Sequence, residues 1–358
     1  MAWAGNLPAL RLGMPVRCEL RPGPDANIPM LSIEQHAEQR RTSLRCRLHL
    51  SGGIWWEQKQ PFYAKPAFEF QSFAPGAARP DRTMGFLVYS HQVPNPAMSN
   101  RLVDWMILQG DDLDQFSLAR LRSEKRNQVR KGLKNCDVRL IPDIEPHLEQ
   151  ALQINAAQAE RHAATGWFTR SPAYFARHAQ AWRAETRRYF SLPGWQWWGA
   201  FAQGQLVAYM RTLQVADVMF IVSMKNHTEL LKLGGSDAIY FTALEAASRS
   251  GTVARIVNGG PMRPSLDRFK EQFLFRRTST PYFLAGASLL RLGKRLFQLK
   301  ERLRIDWQQL LARPTQRLGG RPFLSTLAQC ARTGGQECPC PKTTLPGGSE
   351  KCRCAIPQ

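Results

Sequence analysis

Gln196-Trp197-Trp198-Gly199-Ala200-Phe201-Ala202, then Gln203-Gly204, then Gln205-Leu206-Val207-Ala208-Tyr209-Met210-Arg211-Thr212-Leu213, is the stretch that decides the fold. Two apolar runs of strand length flank a Gln-Gly pair that suits a tight turn, so the segment predicts an antiparallel hairpin. A third strand is expected over Asp217 to Met224. Gly234-Gly235-Ser236 then opens a helix expected from Asp237 to Arg249, with Tyr240, Ala243, Leu244 and Ala247 on its buried face and Gly251 beyond its end. Arg255 to Val257 reads as one more strand.

Upstream of the hairpin, helices are expected from about Ile144 to His162 and from Pro172 to Glu185, joined through Thr165-Gly166. Earlier still, Ser43 to Leu50 and Met84 to Tyr89 read as strands, separated by turn residues such as Ser51-Gly52-Gly53 and Pro94-Asn95-Pro96. A helix over Leu118 to Leu133 and a short strand over Asp137 to Ile141 close the first half. The expected division is an N-terminal arm over residues 1–29, one domain over 30–143, a second over 144–285, a basic amphipathic helix over 286–313 and a disordered tail over 314–358.

The chain has 358 residues and 43% hydrophobic content, enough to bury two ordinary cores. Its 49 Lys and Arg against 28 Asp and Glu give a net charge of +21, which favours a polyanionic partner or substrate. The 286–358 extension alone carries 13 basic and 4 acidic residues, a net charge of +9. No run approaches the ~18 apolar residues of a membrane-spanning helix, so a cytoplasmic protein is expected, with the inner face of the membrane as a second location. Five of the eight cysteines crowd between Cys330 and Cys354, four of them in the Cys-x-Cys pairs Cys338/Cys340 and Cys352/Cys354, a spacing unlike the Cys-x-x-Cys knuckles of structural zinc, and no metal is expected.

Two further stretches are more specific: Arg126-Asn127-Gln128-Val129-Arg130-Lys131 ahead of the strand at Val138, and Leu266-Asp267-Arg268-Phe269-Lys270 shortly after Asn258-Gly259-Gly260. Together with the hairpin, strand, Gly-bearing loop, helix and strand, they resemble the Fem-like branch of the GNAT acyltransferases, the peptidoglycan bridge-forming type. The resemblance implies an α/β (α+β) protein of tandem GNAT-like domains, each a mixed, mostly antiparallel sheet flanked by helices. It also implies transfer of an acyl or aminoacyl group to an amine acceptor, from acyl-CoA, an acyl carrier or aminoacyl-tRNA, in the setting of the bacterial envelope or polysaccharides. Acyl-CoA is thus a candidate donor. Lys232-Leu233-Gly234-Gly235-Ser236-Asp237 stands where acetyl-CoA users usually carry Gln/Arg-x-x-Gly-x-Gly/Ala.

Several residues could carry the chemistry. Lys232, Gly234, Gly235 and Ser236 are candidates for holding the donor, because free N–H groups and the helix dipole suit a phosphate or an oxyanion; equally, Ser236 suits an ordinary N-cap. Lys270 is the candidate catalytic residue: the resemblance places a functional lysine in this Phe-Lys context, and a fixed ammonium stabilises the oxyanion formed when an amine attacks an ester or thioester. Glu245, Glu271, His227 and Asp267 are all conceivable bases. Arg126, Arg130 and Lys134 form a stripe at four-residue spacing that could lie along a polyanion. Trp55, Trp56, Trp195, Trp197 and Trp198 could line a pocket or fill a core. Two alternatives remain: a nucleic-acid-binding protein on a GNAT-like scaffold without turnover, and a protein whose Ser288 to Leu311 helix lies on anionic membrane.

Overall fold

The computed structural model describes residues 29–60, 62–81, 85–164, 170–286 and 288. The expected basic helix from Ser288 to Leu311, except Ser288 itself, and the cysteine-rich tail lie outside the described residues, as do residues 1–28 of the expected N-terminal arm.

Among the described residues, twelve strands form one sheet. In the second half, β7 (Asp137–Leu140), β8 (Trp195–Ala202), β9 (Gln205–Val215) and β10 (Val218–Asn226) run antiparallel in that order, with β1 (Met30–Leu31) added in parallel to β9. Next, β11 (Arg255–Val257) pairs in parallel with β10 and antiparallel with β6 (Arg101–Gln109), so the two halves share one continuous sheet. The first half continues through β12 (Arg276–Ala285), β5 (Val88–Gln92), β4 (Tyr63–Pro66), β3 (Ile54–Gln60) and β2 (Leu48–Ser51). The result is the expected α/β (α+β) class, a mixed, mostly antiparallel sheet flanked by helices, with that sheet continuous across the two halves.

Both faces of β8 and β9 are covered, which is why they read as nearly unbroken apolar runs. One side takes Trp198, Ala200, Ala208 and Met210, packed with α3 (Ser123–Asn135) and α7 (Gly235–Ser250). The other side takes Trp197, Phe201 and Tyr209 beneath α4 (Leu148–Ala164), α5 (Pro172–Arg177) and α6 (Ala179–Phe190). The single helix expected from Pro172 to Glu185 is therefore two, broken at His178, whose non-helical backbone caps both.

Helix α1 (Ile33–Thr42) is polar along most of its length and gives no apolar stripe to read. A capping box defines it instead: Ser32 Oγ accepts from the Gln35 N–H, and the Ser32 N–H donates to Gln35 Oε1. Its His36 is buried, and burial together with the neighbouring Arg40 charge pushes the imidazole down to about 4 from an ordinary 6.5. Between those two values the unfolded chain takes up a proton that the native state refuses. Stability is therefore expected to fall as the pH drops from 6.5 towards 4, by about 1.4 kcal/mol per pH unit from this group. Urea midpoints at pH 7 and pH 5 check this, and His36→Gln should flatten the slope.

Candidate active site

The site begins with a defect in strand pairing. β10 pairs with β11 only over Val218↔Arg255, Met219↔Ile256 and Phe220↔Val257, while β10 itself continues to Asn226. On its other side the register with β9 steps from Ile221↔Thr212 to Ser223↔Arg211, making Val222 a bulge residue. Where β10 and β11 part, a cavity of about 660 Å³ opens. Its walls are Ile221 to Asn226 from β10, Asn258 and Gly259 after β11, Ser236 and Tyr240 from α7, Gln158, Arg161 and His162 from α4, and α8 (Pro264–Glu271).

Lys270 lines this cavity and is only 2% exposed. Its Nζ donates to the Gly260 carbonyl oxygen at 3.1 Å and lies 4.0 Å from Asp267 Oδ1. Burial holds its pKa below the usual lysine value, with Asp267 opposing the shift. Asp267 in turn accepts from the Met262 N–H at 2.9 and 3.1 Å, fixing the loop that carries Gly260. Arg161, His162, Lys225, Arg263 and Lys270 all line the cavity, and no carboxylate is among its described lining residues. An anion therefore suits it. The His162 imidazole is held below its ordinary value by burial and then by Arg161, Lys225 and Arg263, so it is neutral near pH 7 and able to accept a proton.

The Gly234 turn presents a different picture. Helix α7 starts at Gly235 with Gly234 as its N-cap at φ 78°, so Ser236 is not the cap; its Oγ donates to Asn226 Oδ1 at 2.5 Å on the cavity wall. Both glycines are accounted for by close packing. A Cβ on Gly234 would meet Gly132 Cα of α3 at 3.1 Å, and one on Gly235 would meet Val207, Ala200 and Ala208 at 3.3 to 3.4 Å. Lys232 is exposed and does not line the cavity. The carboxylate of Asp237, which would repel a phosphate, is bound at 2.7 Å by Nζ of the buried Lys125.

The α3–α7 contact is correspondingly intolerant. A Cβ on Gly132 would fall 2.4 Å from the Gly234 carbonyl oxygen and 3.0 Å from Ala238 Cβ. Gly132→Ala is expected to destabilise the protein by about 1–3 kcal/mol through overpacking, outweighing the ~1 kcal/mol that alanine gains over glycine within a helix. Chemical denaturation measures the difference.

Arg126, Arg130 and Lys134 lie on the half-buried to exposed side of α3 and do not line the cavity. Of the four conceivable bases, Glu245 is paired with Arg249, Glu271 is exposed, and His227 is buried outside the cavity lining; Asp267 stands beside Lys270. The residues that sequence reasoning missed are His162, Arg161, Lys225 and Lys125. His162 stood only as the last residue of a helix; the apolar period gives no sign that α4 turns its C-terminal end to the cleft. Trp56 and Trp198 are core residues and Trp55 packs partly buried against Ala37, Leu48 and Ala67, whereas Trp195 and Trp197 line a second cavity beneath α4–α6.

No protein-family model and no curated protein matches the sequence. Among solved structures the chain is similar to FemX (TM-score 0.49, 10% identity, 72% of this chain and 92% of that one). It is also similar to the C-terminal domain of a lysylphosphatidylglycerol-synthetase-like protein from Agrobacterium fabrum (TM-score 0.46, 13% identity, 73% and 95%). A third similarity is to a tandem GNAT protein from the clavulanic acid biosynthesis pathway (TM-score 0.36, 13% identity, 72% and 97%).

Proposed function

We propose that this chain transfers an activated acyl or aminoacyl group to an amine in the cleft between β10 and β11. The observation that carries the reading is the buried Lys270 ammonium in a cation-lined cavity at the point where the two strands part. The amine nitrogen attacks the carbonyl carbon, a C–N bond forms, and the carbonyl electron pair moves to oxygen, where Lys270 Nζ stabilises it. Collapse breaks the C–S bond of a thioester or the C–O bond of an ester. His162, neutral in this environment, takes the proton that the amine loses and passes it to the leaving sulfur or oxygen.

Acyl-CoA and aminoacyl-tRNA both bring phosphates, and Arg161 and Arg263 suit either. The Gly234 turn does not fit a pyrophosphate as well as the cavity does, because its glycines are spent on contact with α3 and the sheet. Arg126, Arg130 and Lys134 would contact the polyanionic part of a large donor such as tRNA. An envelope or polysaccharide amine is the acceptor class that the Fem-like signatures suggest.

The test is acceptor-dependent transfer of a radiolabelled group from acetyl-CoA, a longer acyl-CoA or aminoacyl-tRNA to a panel of amines. Transfer from one donor class supports the reading and identifies the donor. Binding of these anions by folded protein without transfer from any of them would replace it with an anion-binding role.

A further inference from the structure

The second cavity, about 280 Å³, lies under α4–α6. Its floor is set by strand register: Trp197 on β8 is opposite Arg211 on β9, which is opposite Ser223 on β10, and Lys225 is opposite Tyr209. The Arg211 guanidinium lies 5.2 Å from the ring centre of Trp197, 5.5 Å from that of Tyr189 and 5.9 Å from that of Trp195, and its Nε donates to Ser223 Oγ at 2.7 Å. Arg170 and Glu185 also face the cavity, but they neutralise each other at 3.1 Å. Among the described residues no carboxylate pairs with Arg211 or Lys225. Burial, then Arg211 and Arg170, hold the Lys225 ammonium below its usual pKa.

Two neighbouring cations, each half-buried and without a counter-charge among the described residues, are costly to hold together. The aromatic faces offset part of that cost for Arg211, and Lys225 has no such support among the described residues. A ligand anion would remove it for both. Gln158, His162, Val222 and Lys225 line this cavity and the Lys270 cleft alike, so the two spaces adjoin.

We propose that the second cavity is the acceptor subsite, and that it takes a small amine carrying an oxyanion, either carboxylate or phosphate. The oxyanion sits between Arg211 and Lys225, the body lies against Trp195 and Trp197, and the amine reaches past Val222 towards the cleft. The inference rests on the transfer reaction proposed above, in that it names the acceptor class.

Calorimetric titration of the whole chain, with no donor present, tests it using L-phenylalanine, O-phosphoethanolamine and, as the amine without an oxyanion, L-phenylalaninamide. At least one of the first two should bind about tenfold or more tighter than the amide, which corresponds to ~1.4 kcal/mol; which one binds identifies the oxyanion. Arg211→Gln and Lys225→Met should each weaken that binding about tenfold, and Lys270→Met should leave it unchanged. Lys225→Met keeps the test open if Arg211→Gln fails to fold. The assignment is overturned if neither oxyanion-bearing amine outbinds the amide, or if folded Lys225→Met binds as the wild type does. Because no donor is present, failure here leaves the transfer reaction to be judged by its own assay.

Discussion

Replacing Lys270 by methionine is expected to lower turnover about 10²–10³-fold while leaving the thermal midpoint unchanged or raised. The ammonium is 2% exposed and makes one hydrogen bond, to the Gly260 carbonyl, with Asp267 no nearer than 4.0 Å. Keeping that charge out of water costs free energy that one carbonyl and a distant carboxylate do not fully return. Methionine is similar in length, fills much of the same space and removes the charge; the Gly260 carbonyl loses a partner at a cost of ~1 kcal/mol. The native state pays for this lysine only if the charge is used. In the wild type the ammonium should lose its proton at a lower pH than an ordinary exposed lysine does, giving an alkaline limb in turnover that the methionine variant lacks. The sign for stability is the opposite: because the folded pKa is depressed, the unfolded chain holds the proton longer and stability rises as the pH climbs through that window. Parallel measurement of kcat and the melting temperature separates the roles, and a variant that loses stability and activity together would make Lys270 structural.

Asp237→Ala is expected to have the largest effect on stability, a loss of about 3–5 kcal/mol. The Lys125 ammonium is bound by Asp237 at 2.7 Å and sits 4.7 Å from the ring centre of Phe269 and 5.1 Å from that of Phe273. Lys125 itself is 2% exposed, so truncating the carboxylate strands a charge between α3 and α7. Lys125→Met alone should cost less, because Asp237 retains some access to water, and the double variant should recover most of the loss. Urea unfolding of the three variants closes the cycle. A loss below ~1 kcal/mol for Asp237→Ala would mean that the ammonium reaches solvent, as in a surface pair.

The second half was legible because its signals are local. The Gln203-Gly204 turn, the apolar runs on either side and the Gly251 stop each fix an element within a few residues of where it stands. The first half was less so. β6 and β12 escaped notice because β6 opens with exposed Arg101 and Leu102, while β12 begins Arg276-Arg277-Thr278-Ser279 and contains Pro281, all of which argue against an interior strand. The proline is tolerated because β12 changes partner there: it follows β6 up to Tyr282 and pairs with β5 from Tyr282 onward. At the candidate site, Lys270 and Ser236 are the two sequence-predicted residues that line the cavity, pointed to by the Fem-like resemblance and the glycine turn. His162, Arg161 and Lys225 were not legible in the sequence, since only the long-range crossing of α4 over the parted end of β10 brings them together.

The position of β12 also has a consequence for biosynthesis. β5 and β6 are not neighbours; the strand between them is made of residues 276–285, encoded some 170 residues after β6 ends. At ordinary translation speeds the ribosome takes roughly ten to thirty seconds to supply it, and until then the nascent chain holds two strand borders with no occupant for the gap. Such borders recruit foreign strands, so the half of the protein made first is the half that depends on being chaperoned until the last strand emerges.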